Sequence, residues 1–201
     1  MYLLYNFLRC IRLINIEKIV SLKNLPRTGW LLEGVPQAFA ENVAEHTFEV
    51  MIISYLISRE LTERGVSVDL GKIMIMSLFH DAEEALTGDI IRRVKDRISE
   101  INDLKIEMLR ELDFEKEIDL LREYMSLSTL ESIVVKISDL AATANQGCRY
   151  LKTGYSGVRR IILSSIDSIE KILIEKMASE EIREIINKLV KNILLCSDLN
   201  R

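Results

Sequence analysis

After Ala40, apolar side chains recur at three- and four-residue spacing almost to the end of the chain, with charged residues between them. That period predicts amphipathic helices, and no period-two alternation persists long enough to compete. Local signals mark where the helices begin. Asn42-Val43-Ala44-Glu45 matches a capping box and places His46 in the first turn of a helix. Asp69 can cap a helix running through Ile73, Met76, Leu78 and Phe79 to His80-Asp81; Thr87-Gly88-Asp89 ends it, with Gly88 suited to the left-handed stop position. Ser128-Thr129-Leu130-Glu131 reads as a second capping box, opening a helix through Val135, Ile137 and Asp139. Gly154-Tyr155-Ser156-Gly157 is a loop, and Ser179, followed by two glutamates, starts a last helix over 178–201. Upstream, both prolines, Pro26 and Pro36, fall in an ordered loop from Asn24 to Phe39 that holds Arg27-Thr28-Gly29-Trp30. The expectation is an all-α, single-domain bundle over 1–201, with no internal repeat and no linker.

Composition narrows the class without naming a function. A chain of 201 residues buries roughly 70% of its unfolded surface, enough for a core. Apolar residues at 48% and charged residues at 29% are those of a water-facing globular protein. A net charge of −4 argues against a general nucleic-acid binder; a small anionic substrate remains compatible, because local fields outweigh the total. No segment reaches the ~18 apolar residues of a membrane span. Met1 to Val20 is apolar but broken by Arg9, Arg12, Glu17 and Lys18, with no cleavage site, so it reads as a core-packing amphipathic helix rather than a signal peptide. Cys10, Cys148 and Cys196 are far apart and form no CxxC pair. They read as single buried thiols in a reducing interior, hence the cytoplasm. Plentiful isoleucine, glutamate and lysine with scarce glutamine point to a heat-stable source. The chain has no Walker loop, GxGxxG, HExxH, or HxE with PCxxC, which sets aside P-loop NTPases, dinucleotide dehydrogenases, zincins and zinc deaminases.

The candidate chemistry gathers around the two histidines, His46 and His80, each flanked by carboxylates. Neutral imidazole and carboxylate together suit first-row divalent metals. His80 and Asp81 are adjacent, and Glu84 lies four and three residues after them, on a shared helical face. Asp139 sits in an apolar run, Ile133-Val134-Val135 before it and Leu140-Ala141-Ala142 after. A buried carboxylate without a partner is destabilising by several kcal/mol, and a divalent cation removes that penalty. Ordinary pairing is the alternative, with Lys136 or Arg149 as partner for Asp139 and a plain core histidine at His46.

The run Arg27-Thr28-Gly29-Trp30, Asn42-Val43-Ala44-Glu45-His46-Thr47, His80-Asp81-Ala82-Glu83-Glu84-Ala85-Leu86-Thr87-Gly88-Asp89, Lys136-Ile137-Ser138-Asp139 resembles the HD-domain metal-dependent phosphohydrolases, with their H…HD…D signature. Within them it is similar to the 5'-deoxynucleotidase branch, over about residues 5–175. The resemblance implies a helical HD domain with the metal site in its core. His46, His80, Asp81 and Asp139 hold one divalent transition metal (Mn, Co, Fe, Ni or Zn). Glu84 stands beside the attacking water, Arg27 contacts phosphate, and Trp30 walls the sugar site. Asp89 lies near the sugar and the leaving oxygen, as proton donor or as a hydrogen-bond partner of the 3'-hydroxyl. Two departures stand out: Thr28-Gly29 separates Arg27 from Trp30, which are adjacent in some members, and Ile90-Ile91-Arg92-Arg93 replaces a proline-bearing stretch.

The activity so implied is release of phosphate from nucleoside 5'-monophosphates, deoxy forms above all, by a homodimer with a nucleotide as its only small-molecule partner and no membrane. Catalysis of this kind rests on charge placement around the phosphoryl oxygens, for which the forked guanidinium of Arg27 is suited. Two other readings stay open: an HD reaction on a triphosphate, phosphodiester or alarmone, and a metal-stabilised nucleotide-binding module without catalysis. Arg92, Arg93, Lys95 and Arg97 read as a solvated face that can also attract an anion. Glu83 reads as exposed or as partner to a histidine.

Overall fold

The computed structural model describes residues 16–196. Among them no strand forms, and one antiparallel bridge joins Pro26 to Asn42. In chain order the helices are α1 (Ile16–Val20), α2 (Thr28–Leu32), α3 (Val43–Glu63), α4 (Leu70–Phe79), α5 (Glu84–Thr87), α6 (Arg92–Lys95), α7 (Ile101–Glu111), α8 (Ile118–Ser126), α9 (Leu130–Lys152), α10 (Arg159–Lys176) and α11 (Glu180–Ile193), with short 3-10 turns at Ser21–Asn24 and Ser156–Val158. The first part of the expected Met1–Val20 helix, residues 1–15, lies outside the described residues, as do Cys10 and residues 197–201. No helix among the described residues is long and apolar enough to cross a membrane.

The centre of the bundle is α9. Its Val134, Val135, Ile137, Ala141, Ala142 and Ala144 are fully enclosed, because α10, α3 and α4 pack around it. α3 meets it with Val50, Ile53, Ile57 and Leu61, a three- and four-residue spacing that keeps one stripe facing inward. A second apolar cluster surrounds Trp30, Tyr150 and Ile162; a third joins Ala82 to Ile106, Leu109 and Phe114. α9 and α10 approach so closely at Gly147 that a Cβ there would lie 2.5 Å from Ile162 Cγ1.

Local chemistry explains the helix ends. The Asn42 side chain accepts the Glu45 N–H at 2.9 Å, and Glu45 accepts the Asn42 N–H at 2.9 Å, the reciprocal box expected. Asp69 caps α4 and Ser179 caps α11, also as expected. The cap of α9 differs. It is Thr129, not Ser128: its hydroxyl accepts the Ser132 N–H at 3.2 Å, and Ser132 Oγ accepts the Thr129 N–H at 3.1 Å. Glu131 accepts the Asp69 N–H instead, at 2.9 Å, so it ties the start of α9 to the cap of α4.

Four further expectations are corrected. α4 stops at Phe79, and a turn through Asp81–Glu83 separates it from α5; Ala82 turns into the third apolar cluster, and His80 Nδ1 bonds back to the Ser77 carbonyl at 2.8 Å. The Asn24–Phe39 loop contains the helical turn α2. The last helix ends at Ile193, where Leu194 becomes extended, and residues 197–201 of its expected span lie outside the described residues. Cys148 and Cys196 are not single thiols. They form a disulfide across 48 residues with Cα atoms 5.7 Å apart, and the Leu195 N–H reaches Asn145 Oδ1 at 3.0 Å beside it. Chain spacing carries no sign of that pairing, which depends on how α11 folds back over α9. Gly88, by contrast, has φ 73° and ψ 166°, a combination almost exclusive to glycine, so a glycine stop was needed there.

Candidate active site

The candidate residues converge where the three apolar clusters meet: Tyr124 belongs to the first, Trp30 to the second and Ala82 to the third. His46, in the first turn of α3, is fully buried. Its Nε2 lies 3.1 Å from Asp139 Oδ1 and its Nδ1 3.2 Å from an Arg27 terminal nitrogen. His80 caps α4 with its ring 5.5 Å from that of His46. Its Nδ1 faces a carbonyl, which only accepts, so Nδ1 carries a proton, and against the effect of burial the Asp81 carboxylate beside Nε2 raises the pKa of the ring. That Nε2 is buried, 3.3 Å from Asp81 Oδ2, and makes no hydrogen bond. His46, His80 and Asp81 each offer a donor atom within 4.8 Å of the others, a group that can hold a metal ion. Asp139 adjoins it through His46.

The electrostatics are those of a site built for positive charge. Burial opposes ionisation of Asp81 and Asp139, but it is overcome: His80 and then Lys95 hold the Asp81 carboxyl well below the usual range, and Lys136 and then His46 do so for Asp139. Lys136 Nζ is 2.8 Å from Asp139 Oδ2, and the Tyr124 hydroxyl donates to the same oxygen at 3.3 Å. Arg149, the other partner considered for Asp139, pairs with Glu49. Glu84 behaves in the opposite way. Burial first and repulsion from Asp81 second push its carboxyl well above the usual range, against the pull of Lys95.

Of the residues singled out in the sequence, His46, His80, Asp81, Asp139, Glu84 and Arg27 come together. Asp89 joins them from the side: the Thr28 N–H donates to its carboxylate, and the Thr28 hydroxyl donates to its backbone carbonyl at 3.0 Å. Trp30 does not present a wall. It is 1% exposed, packs its edge on Tyr150 at 5.2 Å, and donates its indole N–H to Glu41 at 3.0 Å. The helical turn starting at Thr28 sends Trp30 into the core while Arg27 faces His46. Glu83 is neither exposed nor bonded to a histidine; it is buried and pairs with Lys105.

Two site neighbours were not legible beforehand. Lys95, taken with the arginines around it as a solvated face, turns inward to Glu84 Oε1 at 2.7 Å and lies 3.9 Å from Asp81. Glu41, read only as a flanking carboxylate, touches Arg27, Trp30 and His46. No local period distinguishes either, and Glu41 lies one residue before the motif run that opens at Asn42.

The sequence pattern of the HD domain family matches residues 19–183. This chain belongs to the HD domain family. A 5'-deoxynucleotidase of Dictyostelium discoideum is 33% identical over 154 residues, covering 72% of this chain and 80% of that protein. One of Danio rerio is 31% identical over 140 residues, with 63% and 64% covered. Among solved structures, a conserved hypothetical protein of Pyrococcus furiosus superposes with a TM-score of 0.75 at 29% identity, covering 87% of this chain and 96% of that one. An HD-domain phosphohydrolase of Listeria innocua, 18% identical, shares the fold with a TM-score of 0.60. The HD domain match spans every candidate residue from Arg27 to Asp139.

Proposed function

We propose that the chain is a metal-dependent phosphohydrolase that releases phosphate from nucleoside 5'-monophosphates, deoxy forms preferred. The observation that carries this reading is the buried, unpartnered Nε2 of His80 facing Asp81 beside His46 and Asp139, with a guanidinium 3.2 Å from His46. A buried imidazole nitrogen left without a hydrogen bond among carboxylates fits a divalent metal, which takes the place of a proton there. His46, His80, Asp81 and Asp139 would hold it; Mn, Co, Fe, Ni and Zn all suit the donor set. When bound, the ion supplies Lewis acidity that makes a nearby water a nucleophile at neutral pH and screens the phosphoryl charge.

The remaining work falls to side chains. Arg27 binds phosphoryl oxygens through its planar fork. Glu84 accepts a proton from the attacking water: its Oε2 is buried and makes no hydrogen bond, and its raised pKa gives it more basicity than an ordinary carboxylate. Lys95 steadies that carboxylate from the other oxygen. Asp89, fixed by Thr28, meets the sugar or the leaving oxygen. The names of the Dictyostelium and zebrafish relatives support the substrate class.

A 37% match over 68 residues to a dATP triphosphohydrolase of a Salmonella phage favours a triphosphate as the second reading. The test is a product panel over ribo- and deoxynucleotides, one metal at a time. Free phosphate from monophosphates is expected; triphosphate from nucleoside triphosphates would select the second reading, and binding without products would make the chain a nucleotide-binding module. Glu84→Ala should keep the metal and lose turnover. The same reading takes the chain as one domain acting as a homodimer in the cytoplasm, where the Cys148–Cys196 disulfide fits the heat-stable source that composition points to. The exposed Phe48, Ile52 and Tyr55, spaced four and three apart on α3, support the dimer.

A further inference from the structure

We infer that Glu41 is a positioning residue that couples the phosphate-facing Arg27 to the metal-facing His46, an inference that rests on the function proposed above. Glu41 is 5% exposed and lies just before the cap of α3. Its backbone is fixed at both ends: its N–H donates to the Tyr150 hydroxyl at 2.7 Å, and its carbonyl accepts the Arg27 N–H at 2.9 Å. Its carboxylate then meets three side chains. Oε2 accepts from Trp30 Nε1 at 3.0 Å and from Arg27 at 3.4 Å, and Oε1 lies 3.9 Å from His46 Nδ1.

The hydrogen-bond roles make this more than packing. Arginine has donors only, so the 3.2 Å contact with Arg27 makes His46 Nδ1 an acceptor and puts the ring proton on Nε2, toward Asp139 Oδ1. A ligating Nε2 gives up that proton, and Nδ1 then carries one. An Nδ1–H cannot accept from Arg27. The acceptor already in place is Glu41 Oε1. His46 as a ligand and the Arg27–His46 contact are therefore mutually exclusive, and Glu41 serves both arrangements: it takes the Nδ1–H in one and keeps hold of Arg27 through Oε2 in the other. Metal loading thereby breaks the Arg27–His46 contact, while the same Arg27 nitrogen stays on Glu41 Oε2 at 3.4 Å and Thr143 Oγ1 at 3.2 Å. Such carboxylate–histidine–metal relays commonly control affinity by about 10–100-fold.

Trp30 is the only tryptophan in the chain, and its indole N–H sits on the same carboxylate, so its emission reports Glu41 directly. The experiment is Zn²⁺ titration of chelator-stripped full-length protein, followed by calorimetry and by Trp30 fluorescence, in wild type and Glu41→Gln. Wild type should show a Trp30 emission change that saturates with the calorimetric isotherm. Glu41→Gln should bind Zn²⁺ about 10–100-fold more weakly, lose the emission response, and at saturating metal show a raised KM for the monophosphate with a smaller change in kcat. Zn²⁺ affinity within twofold of wild type would overturn the inference. So would weakening matched by collapse of the metal-free variant's melting temperature, which marks a merely structural role. If the variant does not fold, the wild-type titration decides: Trp30 emission flat across Zn²⁺ saturation overturns the coupling. Coupled Zn²⁺ binding without phosphate release from any nucleotide would refute the proposed function while supporting the role of Glu41.

Discussion

Lys95→Met keeps an unbranched side chain one atom shorter and removes its charge, which isolates what the ammonium does for Glu84. Lys95 Nζ sits 2.7 Å from Glu84 Oε1, and Glu84 is 2% exposed. Burial and then Asp81 already raise the Glu84 carboxyl well above the usual range, with Lys95 as the cation opposing them. A charge-assisted hydrogen bond contributes about 1.5–3 kcal/mol net, and about 1.4 kcal/mol corresponds to one pH unit. Removing it should therefore raise the Glu84 pKa further. Protonated Glu84 cannot take a proton from water, so the acid limb of the kcat/KM profile should move to higher pH. The assay is phosphate release from a deoxynucleoside 5'-monophosphate at saturating metal over a wide pH range. At the acid end the variant should be about 10–100-fold slower, and the gap should close at alkaline pH. Stability should fall by about 1.5–3 kcal/mol rather than the ~3–5 of a broken buried pair, because Glu84 escapes by taking a proton. An acid limb that stays in place, with activity lowered equally at every pH, would refute this account and make Lys95 a direct substrate contact.

The other predictions concern the frame around the site. Asp81 and Asp139 have folded pKa values well below their unfolded ones, so their stabilisation is complete above about pH 4 and is lost as pH falls through the lowered values. Glu84, raised, acts in the opposite sense and makes stability decline as pH climbs from about 4.3 toward its folded value. Melts of metal-free protein should show a steep loss on the acid side below about pH 4; a flat profile there would contradict both lowered carboxyls. Reducing Cys148–Cys196, which closes a loop of 48 residues, should lower stability by about 2–4 kcal/mol and the melting temperature by about 4–16 °C, read by scanning calorimetry with and without reductant. Gly88→Ala forces alanine into φ 73°, ψ 166° at about 1–3 kcal/mol. It should also raise KM, because Asp89 follows directly; unchanged KM would detach Asp89 from substrate.

Much of the frame was legible because it is local. The Asn42 box, Asp69, Gly88 and Ser179 each act within a few residues of themselves, and the apolar spacing of α3 and α9 is internal to each helix. What could not be read depends on contacts between distant segments. Glu131 looked like a cap residue for its own helix, but Asp69 recruits it across 62 residues. The helix expected to run past His80 breaks because Ala82 finds a cluster made by α7 and α8. Trp30 lies in the core because Glu41 and Tyr150 hold its ring. Lys95 carries the same charge as its exposed neighbours, so only the folded chain distinguishes it. That His46, His80 and Asp81 lie together was legible for a different reason: their order with Asp139 follows a family pattern rather than a periodicity.

The central claim is that one divalent ion held by His46, His80, Asp81 and Asp139 is what makes this chain release phosphate. It is tested most directly by measuring metal content and dephosphorylation of a deoxynucleoside 5'-monophosphate on the same preparations of wild type and Asp81→Ala. The account predicts a single equivalent of transition metal per chain with phosphate release in wild type, and joint loss of both in folded Asp81→Ala. A folded Asp81→Ala that keeps its metal and its turnover would contradict it.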